Sequence, residues 1–184
     1  MNTPAVVSTT CAPALPLRTL YFRVLACWAL PLFLADQTSK VWVVGNFPEG
    51  YVNHLLPNLF AFVHWRNPGA AWGMFAEHTW VLALVSLAAL LLMILFLPRM
   101  ECRNTFQRMA VGLILGGIAG NLIDRVFRGL ELFKGTVVDF LFFYHNSFQW
   151  PAFNIADSGI TVGVTVYCVC SLFASGRHDA ASAS

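Results

Sequence analysis

Between Trp80 and Leu97 the chain runs for 18 residues with Ser86 as its only polar side chain. A helix needs about 20 mainly apolar residues to cross the hydrocarbon of a bilayer. With its flanks this run is long enough, and Pro98 and Arg99 stop it. Three more stretches read the same way, at roughly 18–43, 106–127 and 156–174. The composition agrees. Of 184 residues 58% are apolar and 11% charged, whereas average soluble chains are roughly 25% charged. A soluble fold of this length cannot cover so much apolar surface, so lipid is the solvent. We expect an all-α membrane bundle of four transmembrane helices over residues 18–174. A disordered tail (1–17) precedes it and a polar tail (175–184) follows. The first span continues through Asp36 to Lys40 into Val41-Trp-Val-Val44 without a small-x-small cleavage site, so it reads as a retained span and not as a secretory signal.

Two connections, 44–77 and 128–155, fall on one side of this bundle. The first holds strand-like pieces, Tyr51–Leu56 and Leu59–Trp65, broken by Pro48, Gly50, Pro57 and Gly69, and predicts a small β element. The second holds Phe140, Phe142, Phe143, Tyr144, Phe148, Trp150 and Phe153, a density of aromatics that suits a membrane interface. In the third span Gly112, Gly116 and Gly120 share one face and would let another helix approach closely. The short 98–108 loop carries Arg99, Arg103 and Arg108, which tips both termini toward the cytoplasm. Net charge is +2 with no basic run, so nucleic acid is not an expected partner. The cysteines Cys11, Cys27, Cys102, Cys168 and Cys170 form no CxxC or zinc-type spacing and read as packing residues. No metal or other cofactor is expected.

Polar residues gather at one end of the predicted bundle. Asp36 and Lys40 lie four apart at the exit of the first span. Asn67 heads Asn67-Pro-Gly-Ala-Ala-Trp-Gly73. Asn121, Asp124 and Arg125 close the third span, Asp139 follows, and Asn154 and Asp157 open the fourth. Charged groups at membrane depth cost roughly 2.5–3.5 kcal/mol at a helix centre, so they are paired or functional. Structural explanations exist for several. Asp36 and Lys40 fit an i,i+4 pair, Asn121 and Arg125 fit interface anchors, and Asp157 fits a first-turn carboxylate favoured by the helix dipole. Asp139, set among Val137, Val138, Phe140 and Leu141, has no such excuse. Two facing carboxylates share a proton, so one is acid and one is base near neutral pH. Such a pair can activate water against an amide without a metal. The chain offers no convincing Ser/His/Asp set and no phosphate-binding Gly-Lys loop.

Five motifs occur in order: Asp36-Gln-Thr-Ser-Lys40, Asn67-Pro-Gly-Ala-Ala-Trp-Gly73, Gly116-Gly-Ile-Ala-Gly-Asn-Leu-Ile-Asp-Arg125, Val137-Val-Asp139-Phe140 and Phe153-Asn-Ile-Ala-Asp157-Ser158. Together they resemble bacterial lipoprotein signal peptidase (signal peptidase II), an aspartyl protease of the inner membrane. The resemblance spans residues 36–158. It implies Asp139 and Asp157 as catalytic aspartates. It implies Asp36, Lys40, Asn67, Gly69, Asn121, Arg125 and Asn154 as residues that line or support the site. Asp124 belongs to the third-span motif without being catalytic in it. The implied substrate is a prolipoprotein carrying diacylglyceryl on its lipobox cysteine, cut just before that cysteine. The site would lie near the periplasmic leaflet, among membrane lipids, with a β-cradle on 44–77 and an amphipathic interfacial piece in 128–155. The cyclic peptide globomycin would inhibit it.

Two other classes fit the sequence less well. A small transporter would use Asp36, Asp139 and Asp157 as a proton relay, but the chain shows no internal repeat of the transporter kind. A non-catalytic bundle subunit leaves the converging carboxylates unexplained.

Overall fold

The computed structural model describes residues 16–70, 73–100, 102 and 104–182, with side chains as far as Phe173. Most of the tail expected at 1–17 therefore lies outside the described residues. Among the described residues four helices are long and apolar enough to cross a membrane: α1 (Leu17–Asn46), α2 (Thr79–Phe96, extended by short turns to Ala76–Arg99), α3 (Thr105–Phe127) and α4 (Ile155–Ser182, apolar through Phe173). The four expected spans match these within a few residues.

Helix α3 is the centre of the bundle, with 67% of its span buried against 11–17% for the others. Its start is fixed locally by a capping box: Asn104 Oδ1 accepts from Gln107 N, and Gln107 Oε1 accepts from Asn104 N. Small residues explain its central place. A Cβ on Gly116 would meet the Ala29 carbonyl of α1 at 2.5 Å, and one on Gly117 would meet the Ala156 carbonyl of α4 at 2.5 Å. Gly112, Gly116 and Gly120 do face one neighbour, α1, through Trp28, Ala29 and Asp36. Helix α1 contains a π turn, Leu25–Ala29, just before Pro31. A proline ring lacks the N–H and crowds the carbonyl four residues earlier, and the wider turn accommodates both. Large apolar side chains such as Val85, Leu91, Leu92 and Leu95 of α2 stay exposed on the outer faces, as lipid contact requires.

Both connections join one antiparallel sheet with strand order β1 (Val52–Leu56), β2 (Phe60–Asn67), β3 (Val137–His145) and β4 (Phe148–Gln149). The first two strands fall where the sequence places them. The aromatic stretch of 128–155, read from sequence only as interfacial, supplies the other two. Strand β3 alternates its faces. Val138 and Phe140 pack on Val43 at the end of α1, with Phe47 and Phe62 beside them, while Val137 and Asp139 turn to a cleft. A bulge in β2 between Phe62 and Trp65 shifts the register, pairing Trp65 with Asp139 and Asn67 with Val137. The bulge therefore brings Asn67 diagonally across from Asp139.

Candidate active site

The cleft lies where the sheet meets the ends of α3 and α4. It holds about 350 Å³ and is walled by Asn67, Gly69, Asn121, Arg125, Asp139 and Asp157, with the 150–153 loop over it. Ser158 and Thr161 continue the α4 wall.

Three asparagines hold the two carboxylates, and each is oriented by a group that can only donate. Gly69 N donates to Asn67 Oδ1 (3.0 Å), which leaves Asn67 Nδ2 to donate to Asp139 Oδ2 (3.0 Å). Asp157 N donates to Asn154 Oδ1 (3.0 Å), and Asn154 Nδ2 then donates to Asp139 Oδ1 (2.7 Å). Lys40 Nζ donates to Asn121 Oδ1 (3.0 Å), and Asn121 Nδ2 donates to Asp157 Oδ1 (2.7 Å). An ammonium or a backbone N–H has no acceptor to offer, so the orientation of each amide is forced. Asp157 also caps its own helix, since its Oδ2 accepts from Asn154 N (3.1 Å). The capping reading of Asp157 and its place in the cleft thus hold together.

Asp139 is 2% exposed. Burial, and then the charge of Asp157, push its carboxyl from the ordinary 3.8 up to about 7, while the bonds from Asn67 and Asn154 and the charge of Lys40 pull it back. Near neutral pH it therefore holds a proton for part of the time.

Arg125 is buried beside the pair. Its Nη2 donates to Gly69 O (2.8 Å), which ties the 67–70 segment to α3, and its Nε has no hydrogen-bond partner among the described residues. Of the Asn67–Gly73 motif, Ala71 and Trp72 lie outside the described residues.

Asp36 and Lys40 come to the site from behind and do not line the cleft. Lys40 Nζ sits 2.8 Å from Asp36 Oδ2 and 2.8 Å from Asp124 Oδ2, with all three side chains fully buried. Arg128 Nε lies 2.6 Å from Asp124 Oδ1, and Gln37 Nε2 bridges Asp36, Asp124 and the Gly120 carbonyl. Sequence reasoning brought Asp36 and Lys40 to this place but gave Asp124 no supporting role and passed over Gln37 and Arg128. The i,i+4 spacing of Asp124 and Arg128 was the available signal. No group of three His, Cys, Asp or Glu residues able to hold a metal occurs among the described residues.

Four spans and a cleft carrying two amide-held carboxylates define a multi-pass membrane protein with an enzyme's site. The family model for signal peptidase (SPase) II matches residues 28–173. The chain is 40% identical to the lipoprotein signal peptidase of Shewanella pealeana over 157 residues, which is 83% of this chain and 88% of that one. It is 38% identical to the lipoprotein signal peptidase of Shewanella amazonensis, over 82% and 88% of the two chains. Two solved bacterial membrane enzyme structures, obtained by the in meso method, share the fold. One has a TM-score of 0.71 at 26% identity, covering 87% of this chain and 91% of the other. The second has a TM-score of 0.66 at 27% identity, covering 84% and 93%. The chain belongs to the signal peptidase II family and is a membrane protease.

Proposed function

We propose that the protein is an aspartyl endopeptidase of the bacterial inner membrane. It removes the signal peptide from diacylglyceryl-modified prolipoproteins just before the lipidated cysteine. The observation that carries this reading is the shared clamp on the two carboxylates. Asn154 bonds Asp139 through its Nδ2 and the Asp157 backbone through its Oδ1, and both aspartates face one cleft.

The chemistry follows from one proton held between two carboxyls. The ionised carboxylate takes a proton from water as the water oxygen attacks the scissile carbonyl carbon. The protonated carboxyl gives its proton to the carbonyl oxygen. The resulting gem-diol returns a proton to the pair as the C–N bond breaks, and the leaving nitrogen takes the other. The pair ends as it began, with one proton. A lipid-anchored substrate stays at the bilayer, which fits a cleft whose α4 wall, Asp157, Ser158 and Thr161, runs on into a membrane span. With an even number of spans both termini share a side, and the arginines of the 98–108 loop favour the cytoplasmic one. The cleft then faces the periplasmic leaflet.

The direct test is cleavage by purified protein in detergent or lipid. A diacylglyceryl-modified prolipoprotein should be cut immediately before the modified cysteine, an unlipidated precursor should be cut far more slowly, and globomycin should block the reaction. Equal cleavage of both precursors would remove lipid recognition, and no cleavage of either would remove the function.

The rate should depend on pH as a bell. On the alkaline side activity falls as the pair loses the one proton it shares, a loss that burial of Asp139, its carboxyl pushed up to about 7, brings near neutral pH. On the acid side activity falls as the second carboxyl takes a proton and the base is lost. The same raised value makes stability decline between the ordinary 3.8 and about 7, because ionising Asp139 costs more folded than unfolded. Initial rates on the lipidated substrate across this range check the profile, and a flat alkaline side would contradict it.

A further inference from the structure

Asp36 and Asp124 do more than neutralise Lys40. Asp36 Oδ1 accepts from Ala156 N at 2.9 Å, the residue immediately before Asp157. Asp124 Oδ2 accepts from Val138 N at a longer 3.5 Å, the residue immediately before Asp139. Lys40 joins the two carboxylates at 2.8 Å each and reaches Asn121, whose amide holds Asp157. One buried cluster therefore touches the backbone just ahead of both cleft aspartates, from the side away from the cleft.

We propose that the buried Asp36–Lys40–Asp124 triad is a positioning element that sets the separation of Asp139 and Asp157 by holding the backbone N–H ahead of each. This rests on the reading of Asp139 and Asp157 as the catalytic pair.

Carboxylates are needed at both ends because every hydrogen-bonding group that meets them among the described residues is a donor. Asp36 meets Ala156 N, Lys40 Nζ and Gln37 Nε2. Asp124 meets Val138 N, Lys40 Nζ, Arg128 Nε and Gln37 Nε2. An asparagine in either place turns its NH₂ toward one of these donors and loses that tie. Gly120 belongs to the same device. A Cβ there would come 2.5 Å from Asp36 Oδ2 and 3.3 Å from the Ala156 Cβ, so only glycine leaves room for the carboxylate to reach α4.

The variants are Asp36→Asn, Asp124→Asn and Gly120→Ala. Each Asn variant leaves Lys40 one carboxylate, and Gly120→Ala removes no charge. Misplacing reacting groups by about 1 Å can cost on the order of 100-fold. Among molecules that elute as folded, monodisperse protein, kcat on a lipidated prolipoprotein should fall by roughly 10- to 100-fold. KM should stay within about threefold, because the cleft walls that meet substrate are untouched. The limbs of the pH–rate profile should move, as a changed spacing changes how the carboxyls share their proton. A scaffold role alone would lower folded yield while each folded molecule kept the wild-type kcat and profile. That result overturns the proposal, and so does failure of all three variants to give folded protein. Asp139→Asn is assayed alongside. If it stays active, the reading of the pair has failed. If it is inactive while the folded triad variants turn over normally, the positioning role alone has failed.

Discussion

Asp139→Asn and Asp157→Asn are each expected to leave a folded, membrane-inserted protein that no longer cleaves its substrate. Asn keeps the size and polarity of the side chain but cannot shuttle a proton. Asp139 accepts from Asn67 on one oxygen and from Asn154 on the other, so the Asn variant turns its NH₂ toward one donor. A lost or unsatisfied bond of this kind costs about 1–3 kcal/mol, a cost offset in part because the variant no longer ionises a buried carboxyl. The protein survives this while the chemistry does not. General acid–base assistance contributes roughly 10²–10⁴-fold, and loss of water activation adds to that. The double variant should be little worse than either single one, the non-additivity expected of two carboxyls working as one unit. Turnover of a diacylglyceryl-modified prolipoprotein, with folded protein quantified by size exclusion, is the measurement. Near-wild-type turnover in either single variant would show that the pair is not the catalytic dyad.

Lys40→Met should be the most damaging change to the fold. Lys40 is fully buried and lies 2.8 Å from two carboxylates that are also fully buried. Removing it leaves Asp36 and Asp124 without their common cation, and Arg128, partly exposed at the edge, reaches only Asp124. Breaking a buried ion pair from one side costs about 3–5 kcal/mol, a large part of the 5–15 kcal/mol that holds a typical domain together. Folded yield from the membrane should therefore collapse. Adding Asp36→Asn to Lys40→Met removes the carboxylate with no other cation and should recover part of that yield, without recovering activity. Thermal unfolding in detergent compares the three proteins. A stable Lys40→Met protein would mean that water or a rearranged Arg128 compensates the carboxylates.

Much of the molecule was legible in the sequence. The spans are written as unbroken apolar runs, and lipid forces such runs to satisfy their own backbone by forming helices. The glycine stripe 112, 116, 120 declared a close helix contact, and the structure puts α1 against it. Asp139 stood out because no helix end accounted for it, and it lies on a strand in the cleft. Every residue expected at the site is found within one connected polar region.

What the sequence by itself determined is local: the four spans, the small β element that became β1 and β2, and the polar residues that gather at one end of the bundle. The tertiary structure decided the rest, because the deciding partners are far apart along the chain. The aromatic stretch 137–145 became β3 only because β2 lay beside it to take up its backbone bonds. Asp36 reaches Ala156 across 120 positions, and Lys40 reaches Asn121 across 81. Asp124 and Asp139 each follow an apolar residue in sequence, Ile123 and Val138. The fold gives one a lysine and an arginine within 2.8 Å and gives the other two amides and an open cleft. A carboxyl's role follows from which charges and donors surround it, and that environment exists only after the helices and the sheet have packed.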